Sequence, residues 1–169
     1  DRLILWRRRK DSMTASGKQP WITMDGYIDL SKIPIDSVLR RTVIKDDNEF
    51  RDACSVLRAV YHAGREDAGI YLYGLFIHNH GNMARKEIIV KALTDVKTKE
   101  SANILFKELT DIESNNVTRG YINEILECLS KYPIEIISDG FEALLKDRKW
   151  SYRMKNKFKG IIYYKEDDT

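Results

Sequence analysis

The stretch ESNNVTRGYINEILECL, residues Glu113 to Leu129, places Arg119 at the start of a segment with helical periodicity. A cation in the first helical turn faces the positive end of the macrodipole and is disfavoured there. EIISDGFEALLKDRKWSYRMKNKFKG, residues Glu135 to Gly160, repeats the oddity with Arg153. Counting back from Arg119 reaches Arg85 and then Arg51, and each arginine follows the last by 34 residues. Three residues ahead of the four stand Asn48, Asn82, Asn116 and Trp150. Asparagine is a preferred N-cap, so each arginine is read as the third residue of a helix. Six residues ahead of the last three arginines stand Asn79, Glu113 and Asp147, whereas the first has Lys45 with Asp46 beside it. A constant period of this length marks a repeated helical hairpin.

An acceptor in the turn between the two helices of a hairpin offsets the cost of a first-turn arginine. A guanidinium holds two acceptors at once and can also bridge to the next hairpin. Arg51, Arg85, Arg119 and Arg153 are therefore expected to form a structural ladder with Asn79, Glu113 and Asp147. The bland alternative is four unrelated surface arginines.

The remaining sequence fits this frame. Apolar stripes at helical spacing predict helices over residues 35–44, 48–63, 65–79, 82–96, 98–113, 116–132, 133–149 and 150–166. REDAGIYLYGLFIHN, residues 65 to 79, is apolar nearly all round and is expected to be a central, well-buried helix. Connections are short, which favours antiparallel neighbours. Ahead of the helices, WITMDGYIDL places two β-prone runs, residues 21–24 and 27–30, around Asp25-Gly26. This is either a small hairpin or an extended arm with one tight turn. Either form would cap the first repeat through residues 21–34, with Trp21, Ile22, Tyr27, Ile28 and Leu30 supplying apolar surface.

The pattern resembles the HEAT-repeat family: helical hairpins, an acid in the hairpin turn, and an arginine six positions later. Glu113 with Arg119 and Asp147 with Arg153 match it, and Asn79 with Arg85 matches with an amide in place of the acid. The resemblance covers about residues 35 to 166, and Lys45 departs from it. It implies an all-α fold over residues 35–169: an α-solenoid of about four antiparallel hairpins whose second helices build a concave face. Tetratricopeptide repeats share the 34-residue step, but their W-x-x-L-G-x-x-Y signature is absent.

Residues 1–20 read separately. LILWRRRK, residues 3 to 10, joins a short apolar run to four basic residues, and DSMTASGKQP reads as a linker. Four apolar residues are far short of the roughly 20 needed to span a bilayer. They fit the end of a span lying upstream, with the basic run as its cytoplasmic flank. That predicts a cytoplasmic module, membrane-associated through a segment ahead of residue 1; the alternative is a solvated basic end.

Composition bounds the function classes. Hydrophobic residues make up 43%, charged residues 33%, and the net charge is +3, so no global polyanion signature exists. Cys54 and Cys128 lie in no C-x-x-C pair and are two repeats apart. They read as reduced thiols in helix cores, consistent with a reducing compartment. His78 and His80 have no cysteine or carboxylate at ligand spacing, so no metal site is expected. No catalytic or nucleotide-binding motif occurs and no cofactor is implied.

The leading expectation is a non-catalytic scaffold binding a protein partner through Arg58, Lys91, Asn123 and Lys157 on the second helices. A basic cluster with aromatics around it (Lys146, Arg148, Lys149, Trp150, Arg153, Lys155, Lys157, Lys159) offers a nucleic-acid reading. HEAT-like proteins include DNA glycosylases for alkylated bases, and also bilin lyases. The bland alternative is a solvated charged end with aromatics in the core.

Overall fold

A computed structural model of the chain describes residues 21–166. Eight helices follow a short 3-10 turn: α1 Ile35–Thr42, α2 Asp47–His62, α3 Asp67–His78, α4 Met83–Leu93, α5 Lys99–Asp111, α6 Arg119–Leu129, α7 Ile134–Lys146 and α8 Tyr152–Glu166. The all-helical reading holds. The basic run and linker expected over residues 1–20 lie outside the described residues.

Local chemistry sets the helix starts. Asp46, not Asn48, caps α2, accepting from the amides of Asn48 and Glu49. Asn82 caps α4 as expected, taking the amide of Arg85. Thr98 and Ser101 form a reciprocal capping box on α5. Asn116 is not a cap. Asn115 instead draws the amides of Val117 and Thr118 into a turn, which delays α6 to Arg119. Arg119 is thus the first helical residue rather than the third.

Each helix packs on the next within hairpins α1–α2, α3–α4, α5–α6 and α7–α8. Between hairpins, α2 packs on α4, α4 on α6, and α5 on α7. The buried surfaces merge into one core running from Ile35 to Phe158. Two glycines permit close approach. A Cβ at Gly69 would lie 3.0 Å from Val96 Cγ1 and 3.1 Å from the Tyr61 ring. One at Gly140 would fall 2.3 Å from the Phe106 ring, which lets α7 settle onto α5. Phe106, Phe141, Phe158 and Trp150 then form an aromatic chain with successive ring separations of 5.1, 5.8 and 5.3 Å.

The N-terminal arm folds back on itself around one tight turn without forming regular strands among the described residues. One antiparallel bridge, Ile22 to Ile28, closes a loop in which Gly26 takes φ +83°, and the described residues contain no strand. Its capping role is narrower than expected. Leu30 and Ile33 pack against the core, but Ile22, Tyr27 and Ile28 stay exposed. Arg65 secures the arm by donating to the Ile33 carbonyl at 2.6 Å while paired with Asp67.

Helix α3 corrects a second expectation. Only Ala68, Gly69, Leu72 and Phe76 of it are buried. Ile70 is 71% exposed and Ile77 53%. The helix packs on α2 and α4, and its far side meets no neighbour sufficient to cover it.

Candidate functional site

The expected ladder has one rung among the described residues, and its acceptor is not the expected one. Arg85 pairs with Asp47 at 2.9 Å, 38 residues back in the preceding hairpin, not with Asn79. It also donates to the carbonyls of Ile44 and Thr42 at 2.9 and 3.4 Å and lies 4.5 Å above the Phe50 ring. Its guanidinium therefore neutralises the carboxyl end of α1. Asn79 is occupied with the Leu75 carbonyl of its own helix.

The other three arginines are exposed. Among the described residues Arg119 reaches only Asn116, at 2.8 Å, and forms no pair with Glu113. Arg153 forms none with Asp147, which instead accepts the Lys149 amide. The reason is compositional. One repeat after Asp47 and Phe50 stand Gly81 and Ala84, and after those Asn115 and Thr118, so the later arginines meet neither a carboxylate nor a ring. At the last junction Lys149 does the work of Arg85, its Nζ donating to the Leu109, Thr110 and Ile112 carbonyls at the end of α5. Arg85→Ala should therefore cost about 1.5–3 kcal/mol, as for a charge-assisted hydrogen-bond set. Arg51→Ala, Arg119→Ala and Arg153→Ala should each stay within about 0.5 kcal/mol. Urea unfolding of the four variants measures the contrast; equal losses at all four positions would restore the ladder.

Of the expected second-helix residues, Asn123 and Lys157 meet each other, while Arg58 and Lys91 pair with acids. Arg58 and His62 of α2 both meet Asp95 after α4, His62 Nε2 at 3.0 Å. Lys91 of α4 lies 3.2 Å from Glu87 and 3.7 Å from Glu124 of α6. Lys157 of α8 donates to Asn123 of α6 at 2.9 Å, spanning one repeat period. A line of side chains of both signs thus crosses α2, α4, α6 and α8, and it stays solvent-facing: the Arg58 side chain is 46% exposed and that of Lys91 57%.

Burial alone would raise the Asp95 carboxyl, but hydrogen bonds and charge from Arg58 and His62 outweigh it and hold the pKa below its ordinary 3.8. A depressed folded-state pKa contributes stability above the unfolded value and loses it as pH falls through the folded one. The stability advantage of wild type over Asp95→Asn should therefore be present above about pH 5 and shrink as pH falls below about 4. A gap independent of pH down to about 2 would show that the carboxylate charge plays no part.

Trp150 is corrected as a partner-binding candidate. It is 3% exposed, edge-on to Phe158, with its indole N–H buried and unpartnered. Lys155 is half-buried and Lys159 exposed. Among the described residues no ion pair neutralises Arg148, Arg153, Lys155 or Lys159. The two thiols are free and buried, which pushes Cys54 up to about 12 and Cys128 to about 11.

A further group had no place in the sequence reading. Lys86, 6% exposed, sends Nζ to both Glu108 carboxylate oxygens at 2.7 Å and sits 5.0 Å from the Phe76 ring centre. The Tyr121 hydroxyl donates to Glu108 Oε1 at 3.2 Å, and burial first, then Glu108, pushes its pKa up. These three side chains floor a cleft of about 380 Å³, with His80, Gly81, Met83, Asp111 and Ile112 around it. The available signal was register: Lys86 falls on the inward stripe of α4 with Ile89, Val90 and Leu93.

Among the described residues no helix is long and apolar enough to cross a membrane. Comparison with protein families, with curated proteins and with solved structures finds no match to this chain.

Proposed function

We propose that the chain is a non-catalytic protein-interaction scaffold, a HEAT-like α-solenoid that docks a protein partner on its second helices. The observation carrying this reading is the solvent-facing line Arg58–Asp95, Lys91–Glu124 and Lys157–Asn123. Side chains that brace one another are held in position before a partner arrives, which lowers the ordering cost of binding. Alternating sign suits a polar protein surface with its own charge pattern.

The test is cross-linking and affinity capture with the chain as bait, beside a variant carrying Arg58→Ala, Lys91→Ala, Asn123→Ala and Lys157→Ala. Circular dichroism first establishes that the variant is folded. A partner held by wild type and lost by the variant supports the reading; partners held equally by both sink it.

The unneutralised cations Arg148, Arg153, Lys155 and Lys159 favour a second reading, in which the last hairpin contacts nucleic acid. Asp95, Glu87 and Glu124 on the same second-helix layer oppose it, since a groove following phosphates should be uniformly positive. Gel shifts at two salt concentrations discriminate, because phosphate contacts weaken steeply with salt.

A further inference from the structure

We propose that the cleft between the α3–α4 turn and the α5–α6 hairpin receives one guanidinium-bearing side chain, an arginine of a protein partner. The proposal rests on the scaffold reading for the source of that arginine.

The junctions on either side show what this edge of the protein requires. At the first, Arg85 enters from α4 and holds the carbonyls at the end of α1 together with the Asp47 carboxylate. At the third, Lys149 enters ahead of α8 and holds three carbonyls at the end of α5. In both, a cation from the following hairpin settles on the negative end of a first helix. The corresponding side chain at the middle junction is Arg119, one period after Arg85. It turns to Asn116 and solvent, because Gly81 and Ala84 replace the carboxylate and ring that fix Arg85. The cleft opens at that junction.

Its lining selects the guest. Glu108 and Asp111 supply two carboxylates against the single ammonium of Lys86, whose charge Glu108 already balances. Asp111 is exposed at the rim and has no ion pair among the described residues. Among the described residues Glu108 Oε2 accepts only from Lys86, and it keeps acceptor capacity toward a donor. The carboxyl end of α3 also borders the space and adds negative potential, whereas that of α5 is already held by Lys149. Met83 and Ile112 give apolar wall for a methylene stem, which suits a long cationic side chain better than a bare metal ion. An anion would meet the unpaired Asp111 carboxylate and the negative end of α3.

The test uses N-acetyl-arginine methylamide as probe, with the uncharged citrulline analogue beside it, followed by amide chemical shifts of the full chain. The expected result is saturable shifts clustered at Gly81, Asp111 and Ile112 for the arginine probe and none for citrulline. Asp111→Asn should weaken binding at least fivefold, while Glu113→Gln, an exposed acid outside the cleft, should leave it unchanged. Equal binding of citrulline, equal weakening by both variants, or shifts spread over all exposed carboxylates would overturn the proposal. The free probe needs no protein partner, so the cleft can fail while the second-helix face stands, and the reverse.

Discussion

Glu108→Ala should be the most damaging single change to a charged residue, lowering unfolding free energy by about 3–5 kcal/mol at neutral pH. Lys86 has 8% of its side chain exposed, and among the described residues both hydrogen bonds of its ammonium go to Glu108. Removing the carboxylate strands an ammonium inside the protein and leaves the Tyr121 hydroxyl without its acceptor. The Phe76 ring recovers only a small part of that loss, since such cation–ring contacts are worth about 0.5–2 kcal/mol. Charge, rather than volume, should carry the effect. Lys86→Met, Glu108→Leu and Tyr121→Phe together exchange the whole polar group for apolar side chains and should recover most of the loss, because an apolar replacement of a buried pair is often neutral or better. Urea unfolding of the single and triple variants decides. A loss under about 1 kcal/mol for Glu108→Ala would mean that water reaches the pair freely.

Phe141→Ala should cost a similar amount, about 3–5 kcal/mol, for a different reason. The ring is fully buried and lies between Phe106 of α5 and Phe158 of α8. Its deletion opens a cavity between three helices whose backbones are held by other contacts, so little collapse can fill it. Gly140 limits one route of relaxation, since α7 already rests against the Phe106 ring. A double-mutant cycle of Phe106→Ala with Phe141→Ala should show coupling of about 0.5–1.5 kcal/mol from the edge-on ring contact. Additive losses would reduce that contact to plain area burial.

The helices were legible because their signals are local. Residues 48–63 were read as a helix and α2 runs Asp47–His62; residues 133–149 were read and α7 runs Ile134–Lys146. Among the helix starts, that of α6 slipped furthest. NNVT offers several side-chain oxygens for the same amides, and the winner, Asn115, is selected by turn geometry rather than by propensity. The ladder was half legible. The period of the arginines is real, but acceptors were sought six residues back, inside the same hairpin. Asp47 lies 38 residues before Arg85, in another hairpin, where only folding brings it near. Helix α3 was misread because all-round apolarity says nothing about how many neighbours a helix will have. The Lys86 group was missed because a charged side chain on an inward stripe reads as noise until its counter-ion is found on another helix.

The last hairpin is fastened unevenly. Helix α7 lies along α5, and Lys149 grips the end of that helix, but α8 meets α6 thinly, with Lys157 and Asn123 joining them across the boundary. One layer therefore acts as the spine and the other as the free edge of a page. Breathing motions should part α8 from α6 first, and the backbone amides of α8 should trade their protons with solvent sooner than those of α4, which is clamped by helices on both sides.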